Sequence, residues 1–406
     1  MRTYRELFRA PQFRPLFATS AVQVAASTMG GLALGTLVYA ATDSPLLAAL
    51  SMFGSSLAQV IGATVLMSAA DRLPPRAAMS GMALAFGLAT AVLAVPGLPL
   101  PVVFAIILAE GVIAAVGGGV RYGLLNEVLP KDGYLLGRSV LNMCSGLMQI
   151  GGFALGGLLV ATLSARGTLL AAAALYLTGA AVARFGLAHR PPRATGRPSV
   201  AETWRTNAVL WSSGPRRRVY LALWVPNGLI VGSESLFVPY SPEHAGLLFA
   251  FGALGMLVGD TVAGRFIARH RRGRLATPLQ LLLAAPYLFF AAYPALPVAF
   301  ALTTLASVGF SASLLFQERL MALTPDGIAG QALGLHSSGM LTMQGVAAAL
   351  AGAVAQRTSP GTAMTVMAAA SLAVSLALVA AGRRAAGRTG EVLVEVRAAG
   401  VTRRSS

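Results

Sequence analysis

Twelve long apolar runs constrain the fold of this chain more than any other feature. A helix needs about 20 apolar residues to cross the hydrocarbon core of a bilayer. Eight of the twelve runs contain no acidic, basic or histidine residue. The runs predict an all-α membrane protein with twelve transmembrane helices. The predicted spans are 15–41, 45–70, 77–96, 101–120, 139–165, 168–183, 219–240, 245–264, 275–294, 297–317, 328–356 and 360–382.

The basic residues alternate with these runs. When the N-terminus is placed in the cytoplasm, 29 of the 31 lysines and arginines fall in cytoplasmic segments, and only Arg166 and Arg357 fall outside. Cytoplasmic loops of membrane proteins carry such an excess of basic residues. The pattern predicts a multi-pass protein with both termini in the cytoplasm. A single lysine among the 31 basic residues is typical of GC-rich bacterial genomes, so we expect a bacterial cell membrane.

Composition excludes several other classes of protein. Hydrophobic residues make up 56% of the chain, charged residues 11%, and the mean hydropathy is +0.70, beyond what a soluble surface tolerates. The net charge of +17 does not predict nucleic-acid binding, because the arginines lie in short gaps between apolar runs. The lone Cys144 excludes a disulfide framework and a cysteine metal site. The sequence contains no nucleotide-binding, metal-binding or nucleophile motif that would predict an enzyme.

The two halves of the chain repeat a pattern of small residues. Four positions around the fifth run recur around the eleventh at a constant offset of 193 residues. The pairs are Gly137 and Gly330, Ser145 and Ser338, Gly146 and Gly339, and Gly152 and Gly345. A period near half the chain length is typical of duplicated membrane proteins, and it predicts two six-helix bundles.

The same features divide the chain into five parts. Short basic or proline-rich segments flank and separate the two predicted bundles. The parts are an interfacial cytoplasmic segment (1–14), the N-terminal bundle (15–188), a cytoplasmic linker (189–218), the C-terminal bundle (219–382) and a cytoplasmic tail (383–406).

The loop after the second run gives the chain a resemblance to a known family. It reads Asp71-Arg72-Leu73-Pro74-Pro75-Arg76, similar to the G-x-x-x-D-R-x-G-R-[KR] signature of the major facilitator superfamily. Met67 occupies the first glycine position of the signature, and two prolines replace its G-R pair. The acid and two basic residues of the signature are therefore present, whereas its tight glycine turn is not.

The fifth run resembles a second signature of that superfamily, the antiporter pattern G-x-x-x-G-P-x-x-G-G. Gly152, Gly156 and Gly157 stand in register, while Met148 and Phe153 replace a glycine and the proline. Glycines at this spacing let helices approach closely. Simple helix packing therefore explains these three glycines as well as a role in antiport does.

Over residues 10–382 the chain resembles bacterial exporters of the superfamily, among them drug:proton antiporters and siderophore exporters. The resemblance implies a monomer that works by alternating access and exports a small amphipathic molecule. It implies protons as the coupling ion and no cofactor, metal or nucleic-acid partner. Two alternatives stay open: a proton symporter or uniporter importing a neutral solute, and a non-transporting sensor or scaffold of the same fold.

Two acids inside predicted spans are candidates for proton coupling. Glu110 lies about 12 Å into the fourth run, near the bilayer midplane. A carboxyl group in hydrocarbon is costly unless it faces a cavity, takes up a proton or is satisfied by a neighbouring helix. Glu234 lies in the outer half of the seventh run, where Pro226 and Gly232 favour a bent helix and where solvation at the interface is the alternative. We predict that both line a proton-coupling and substrate cavity between the bundles.

Other polar residues inside the runs are weaker candidates for the same cavity. A lone buried histidine such as His336 is more often a packing residue than a proton relay. Uncharged amides are suited to substrate hydrogen bonds. These candidates are Gln23, Asn142, Gln149, Asn227 and Gln344.

The loop at 71–76 is predicted to form a cytoplasmic gate. We expect Asp71 to meet the positive N-terminal end of the eleventh helix and Arg72 to pair with Glu127, while Arg76 adds a further basic group. A loop that only sets topology is the alternative.

The charges within the predicted spans suggest a substrate class. No arginine or lysine lies inside any of the twelve predicted spans, and the ionisable groups there are three acids and one histidine. Such a field favours a cationic or neutral amphipathic substrate over one that needs a buried arginine clamp.

Overall fold

The computed structural model describes residues 4–66, 73–192, 200–325 and 328–402, and these residues form helices and short connections. Two short helices, Tyr4–Arg9 and Val200–Ser212, precede the first and second bundles. We number the twelve main helices in chain order. They are α1 (Phe13–Thr42), α2 (Pro45–Leu66), α3 (Pro75–Leu93), α4 (Leu100–Val128), α5 (Lys131–Thr162), α6 (Ala165–Gly186), α7 (Gly214–Glu234), α8 (Ala245–Arg265), α9 (Arg269–Ala284), α10 (Leu296–Val308), α11 (Ala329–Arg357) and α12 (Pro360–Thr402).

Three of these helices continue after a short irregularity. A single turn, Phe237–Tyr240, extends α7, and a 3₁₀ helix, Ala285–Ala292, extends α9. A 3₁₀ turn at Gly309–Ser311 joins α10 to a further helix, Ala312–Ala322. With these extensions, each hydrophobic run reaches the length that a bilayer requires.

Length and hydropathy identify these helices as membrane-spanning. Within the described ranges, eleven helices are long and apolar enough to cross a membrane. Helix α2 supplies the twelfth, with 22 residues and no acid, base or histidine. The predicted all-α, twelve-helix membrane fold is therefore confirmed.

Prolines set many of the helix boundaries. Pro45, Pro75 and Pro360 each stand at the start of a helix, where the missing amide hydrogen costs nothing. Pro130 precedes α5 in an extended conformation and ends the continuity between α4 and α5. The sharp connection between α1 and α2 turns at Asp43, which has a φ of 50°.

One predicted boundary was wrong. The predicted spans 101–120 and 139–165 leave residues 121–138 outside the helices, but α4 runs to Val128 and α5 begins at Lys131. Arginine, lysine and glutamate are good helix formers, so charges near a membrane surface do not end a helix. Arg121 therefore lies within helix α4, one residue beyond the span predicted at 101–120.

The twelve helices form two bundles that meet along two helix pairs. In the first bundle α6 packs against α1 and α3, and α4 against α2; in the second, α7 packs against α11 and α12, and α8 against α10. Across the interface, α2 packs against α11 and α5 against α8. We call the end of the molecule with the helices Tyr4–Arg9 and Val200–Ser212 the linker end, and the other the distal end.

Among the described residues, the apolar core is continuous between the bundles only towards the distal end. The largest described cluster joins Phe237, Tyr287 and Phe290 of the second bundle to Leu32 and Tyr39 of α1. At the linker end, one cluster is drawn from residues 7–187 and another from residues 210–378, so each belongs to one half of the chain. The bundles thus share a core at the distal end, whereas the cores formed by the described residues at the linker end are separate.

Candidate functional site

A cavity of about 310 Å³ penetrates the first bundle. Its walls come from α1, α2, α3, α4 and α6, whereas the sequence had suggested a cavity between the two bundles. Nine polar side chains lie on these walls and give an apolar bundle a hydrophilic interior. They are Gln23, Ser27, Ser51, Ser55, Gln59, Thr90, Glu110, Arg121 and Tyr176.

Helical spacing brings the polar side chains of α2 to one wall. Ser51, Ser55 and Gln59 recur every four residues, so they lie above one another on a single face of the helix. Gln23 and Ser27 follow the same spacing on α1.

Glu110 is the acid of this cavity. Gly111, the next residue, allows α2 to approach closely, because a Cβ atom there would overlap the Ser55 carbonyl oxygen and lie 2.8 Å from the Cβ atom of Ala58. The close approach places the Glu110 carboxyl group beside the polar face of α2. Neither ion pair between described residues involves Glu110, so no described arginine forms an ion pair with its carboxyl group.

Arg121 is the base of the same cavity. It follows Glu110 by eleven residues, which is three helical turns, so both side chains lie on one face of α4 about 16 Å apart along its axis. Its Nε atom is buried and has no hydrogen-bond partner in the described part of the chain. The cavity wall therefore carries an acid and a base that do not neutralise each other.

Aromatic and amide groups surround Arg121 at the linker end of the cavity. Its Nη2 atom donates to the Tyr122 hydroxyl at 3.4 Å, and that hydroxyl donates to Asn142 Oδ1 at 3.2 Å. The guanidinium carbons of Arg121 and Arg138 lie 4.9 and 5.4 Å from the centroid of the Tyr122 ring. The ring stabilises both cations by cation–π contact. Asn142, a predicted cavity residue, thus contacts the cluster around Arg121.

Glu234 lies in a different environment. It ends α7, is only 7% exposed, and accepts a hydrogen bond from the Tyr287 hydroxyl to Oε1 at 3.4 Å. It belongs to the second bundle and is absent from the walls of the Glu110 cavity. The structure therefore does not bring the two predicted acids together.

The remaining predicted cavity residues are spread over four helices. Gln23 lies on the cavity wall. Asn227 is buried in α7 and donates from Nδ2 to Ser313 Oγ at 3.1 Å. His336 is buried in α11, and its Nδ1 atom has no partner among the described residues. Gln149 and Gln344 are half-buried on α5 and α11, the helices that contact the opposite bundle.

Only part of the predicted gate falls within the described ranges. Asp71 and Arg72 lie outside them, so their predicted contacts stay predictions. Arg76 lies in the first turn of α3. Glu127, the predicted partner of Arg72, forms an ion pair with Arg190 at 3.4 Å in this structure.

The three predicted glycines lie where helices touch. A Cβ atom on Gly152 would overlap the Thr28 hydroxyl of α1, and one on Gly156 would lie 3.2 Å from the Met29 Cα atom. At Gly157 it would lie 3.0 Å from the Cα atom of Gly246 on α8. Gly157 therefore brings the two bundles into backbone contact near the distal end.

Some cavity residues were not recognised from the sequence. The predicted span 101–120 stops one residue before Arg121, and Ser55, Gln59 and Tyr176 are not among the predicted site residues. The four-residue spacing of Ser51, Ser55 and Gln59 was a usable signal for a polar helix face, as was the eleven-residue spacing from Glu110 to Arg121. Tyr176 offers no such signal, because only packing brings α6 to the cavity.

Comparisons with known proteins agree with this architecture. Residues 16–240 match the family model described as Major Facilitator Superfamily. Among curated proteins, none matches the sequence.

Solved structures resemble the chain over nearly its whole length. The nucleoside transporter NupG superposes with a TM-score of 0.73 at 14% identity, covering 91% of this chain and 98% of NupG. A POT family transporter in complex with 5-aminolevulinic acid gives 0.72 at 12% identity, with coverage of 91% and 95%. A bacterial homolog of the human lysosomal transporter Spinster, inward-facing and unoccupied, gives 0.65 at 13% identity, with coverage of 92% and 94%. At these identities the likeness shows the fold alone.

Proposed function

Since this chain belongs to the Major Facilitator Superfamily, we propose that it is a proton-coupled secondary transporter that exports a small amphipathic molecule by alternating access. Membership identifies a multi-pass membrane transporter rather than an enzyme. The direction of transport, the coupling ion and the substrate class are the parts that we propose.

The position of Glu110 is the observation that best supports proton coupling. Its carboxyl group lines a polar cavity inside a spanning helix and has no cationic partner among the described ion pairs. An acid in such a place gains or loses a proton at little structural cost, because no ion pair has to be broken. Protonation and substrate binding can therefore compete at one carboxylate, which is the requirement for antiport.

The separate apolar cores described at the linker end support export. If that end faces the cytoplasm, as the distribution of arginines favours, the described cores are separate on the side from which an exporter loads. Separation of the cores at one end and a shared core at the other is also the arrangement that alternating access needs. A rigid-body movement of the bundles would reverse it.

Arg121 favours a second candidate, proton symport of a molecule that carries a negative charge. A cavity with an unpartnered guanidinium nitrogen offers a charge-assisted hydrogen bond to a carboxylate or phosphate. Protonation of Glu110 would leave the cavity with the positive charge of Arg121. A proton and an anionic substrate would therefore bind in the cavity together. Antiport of a cation and symport of an anion thus make opposite predictions for the proton.

The test is proton movement in proteoliposomes with a pH dye in the lumen. The panel contains amphipathic cations, neutral amphiphiles and amphipathic carboxylates, each added outside to wild type, Glu110→Gln and Glu243→Gln. Glu243 is exposed in the connection before α8 and serves as the matched control. Antiport makes the lumen alkaline and symport makes it acidic, and in either case Glu110→Gln should retain less than a tenth of the signal.

Each outcome decides between the candidates. Alkalinisation by cations that Glu110→Gln abolishes and Glu243→Gln preserves would support antiport. Acidification by carboxylates with the same dependence would support symport. Transport of a labelled substrate without any proton signal would overturn proton coupling, and an equal signal in all three proteins would overturn the role of Glu110.

A further inference from the structure

A second concave surface lies on the outside of the first bundle, away from the Glu110 cavity. It is a groove of about 610 Å³ between α3 and α6, and it shares no lining residue with the cavity. The groove lies between two helices that pack directly against each other. We call it the α3–α6 groove.

Basic groups line one end of the α3–α6 groove. Arg76 lies in the first turn of α3, Arg184 lies in the last turn of α6, and His189 follows that helix. Because α3 and α6 are antiparallel, all three fall at the linker end of the bundle. The two ion pairs between described residues, Arg190–Glu127 and Arg272–Glu318, involve neither Arg76 nor Arg184.

Apolar side chains line the other end. Leu84 follows Arg76 by eight residues on α3, and Leu177 precedes Arg184 by seven on α6, which places both about 10–12 Å deeper into the membrane. These leucines are 46% and 40% exposed, although they lie in spanning helices. Phe185, beside the basic end, is 85% exposed. The groove therefore changes from charged to apolar along the membrane normal.

Small residues form the floor between the two ends. Ser80 and Gly81 on α3 face Ala180 and Ala181 on α6, so the surface is concave where larger side chains would fill it. Nothing lies within 4 Å of a Cβ atom built on Gly81, so the glycine is not required by packing between the helices. The shape leaves room for an extended hydrocarbon chain beside the helices.

We propose that the α3–α6 groove binds one anionic phospholipid. Two guanidinium groups and an imidazole hold the headgroup phosphate at the membrane surface, and an acyl chain lies along Leu84 and Leu177. Arginine is well suited to phosphate because its planar fork makes paired, charge-assisted hydrogen bonds. Basic pockets between membrane helices bind such headgroups, and the apolar depth of this groove selects a lipid over a free phosphate.

The experiment measures retained lipid rather than transport, so it is independent of the proposed function. Wild-type protein is exchanged into detergent containing equal amounts of phosphatidylglycerol and phosphatidylcholine, delipidated, and examined by native mass spectrometry. We expect one phosphatidylglycerol to remain bound to wild type. The double variant Arg76→Gln/Arg184→Gln should retain at least fivefold less.

Two further variants distinguish specific lipid binding in the groove from nonspecific attraction to surface charge. Arg265→Gln/Arg274→Gln removes the same charge from exposed positions on α8 and α9 of the second bundle and should retain lipid like wild type. Gly81→Leu fills the floor of the groove without changing any charge and should lower retention severalfold. It also keeps the test decisive if the arginine double variant fails to fold.

Three results would overturn the proposal. One is equal loss of phosphatidylglycerol in both arginine double variants, which would indicate surface attraction alone. Another is equal retention of phosphatidylcholine and phosphatidylglycerol by wild type. The third is displacement of the bound lipid by millimolar inorganic phosphate together with full retention by Gly81→Leu, which would indicate a phosphate site without an acyl-chain groove.

Discussion

The distal and linker ends of this transporter differ in the contacts that their described residues make between the bundles. At the distal end, one apolar core joins Leu32 and Tyr39 of the first bundle to the aromatic residues of the second. At the linker end, each bundle has a core of its own, and the ion pairs Arg190–Glu127 and Arg272–Glu318 each stay within one half of the chain.

The difference shows what holds the two bundles together. Within lipid, helices associate through close packing of small residues and not through burial of apolar area, because the lipid tails are themselves apolar. The contacts of Gly157 with Gly246 and of Gly352 with Leu46 meet this requirement at the distal end. The linker end has charges and separate cores instead, and these are compatible with opening.

The largest effect is expected from breaking the distal contact between bundles. Gly157→Leu would place a branched side chain where the added Cβ atom alone lies 3.0 Å from the Gly246 Cα atom. Since backbone cannot move aside as a side chain can, the bundles should separate there. We expect at least a tenfold loss of transport and increased labelling of a cysteine introduced near the distal end.

The control for that variant lies on the same helix. Nothing lies within 4 Å of a Cβ atom on Gly151, so Gly151→Leu should leave transport within twofold of wild type. Equal losses in the two variants would mean that helix propensity or insertion, and not the distal contact, causes the defect.

A smaller effect is expected from a buried hydrogen bond inside the shared core. Tyr287→Phe removes the donor to Glu234, a residue that is 7% exposed. Leaving a buried acceptor unsatisfied costs about 1–3 kcal/mol. The expected result is a lower thermal-unfolding temperature in detergent, with the fold intact by circular dichroism.

Tyr293→Phe is the matched control, because this tyrosine is 49% exposed and water can replace the 3.4 Å hydrogen bond that its hydroxyl accepts from Gly361 N. Its unfolding temperature should stay close to that of wild type. If Tyr287→Phe also leaves the unfolding temperature unchanged, water must reach Glu234, and the distal core is less closed than the contacts indicate.

The smallest effect is expected at the linker end. Glu318→Gln removes the ion pair with Arg272 at 3.1 Å, but the Glu318 side chain is 48% exposed. Exposed ion pairs contribute about 0–1 kcal/mol, and this pair joins two helices of the same bundle. Stability and transport should therefore both remain near wild type, in parallel assays with Glu243→Gln. A loss of transport beyond threefold would show that linker-end charges take part in closing, and the contrast between the ends would need revision.

Much of the fold was predictable because the hydropathy of each segment indicates whether it lies in the membrane. A run of apolar residues signals a spanning helix regardless of its neighbours, and Pro45, Pro75 and Pro360 mark helix starts by local chemistry alone. The same logic singled out Glu110, a lone acid in an apolar run. The same reasoning did not place Arg121 within a helix, because the sequence shows a charge but not whether a helix continues through it.

The site required information that no single helix contains. Glu110 and Glu234 look alike in the sequence, as lone acids in apolar runs. In the folded protein, Glu110 lines a polar cavity beside α2, whereas Glu234 is buried and accepts a hydrogen bond from a tyrosine. Tyr176 became a cavity residue only because α6 packs against α1.

The sequence by itself determined the number of membrane helices, the twofold repeat and the acid in the middle of α4, since hydropathy and periodicity are properties of short segments. Tertiary structure alone decided that the cavity lies within the first bundle, that Arg121 shares it with Glu110, and that the bundles share a core at one end and not at the other. Those features depend on which helix faces meet, and contacts between residues distant in the chain fix those faces.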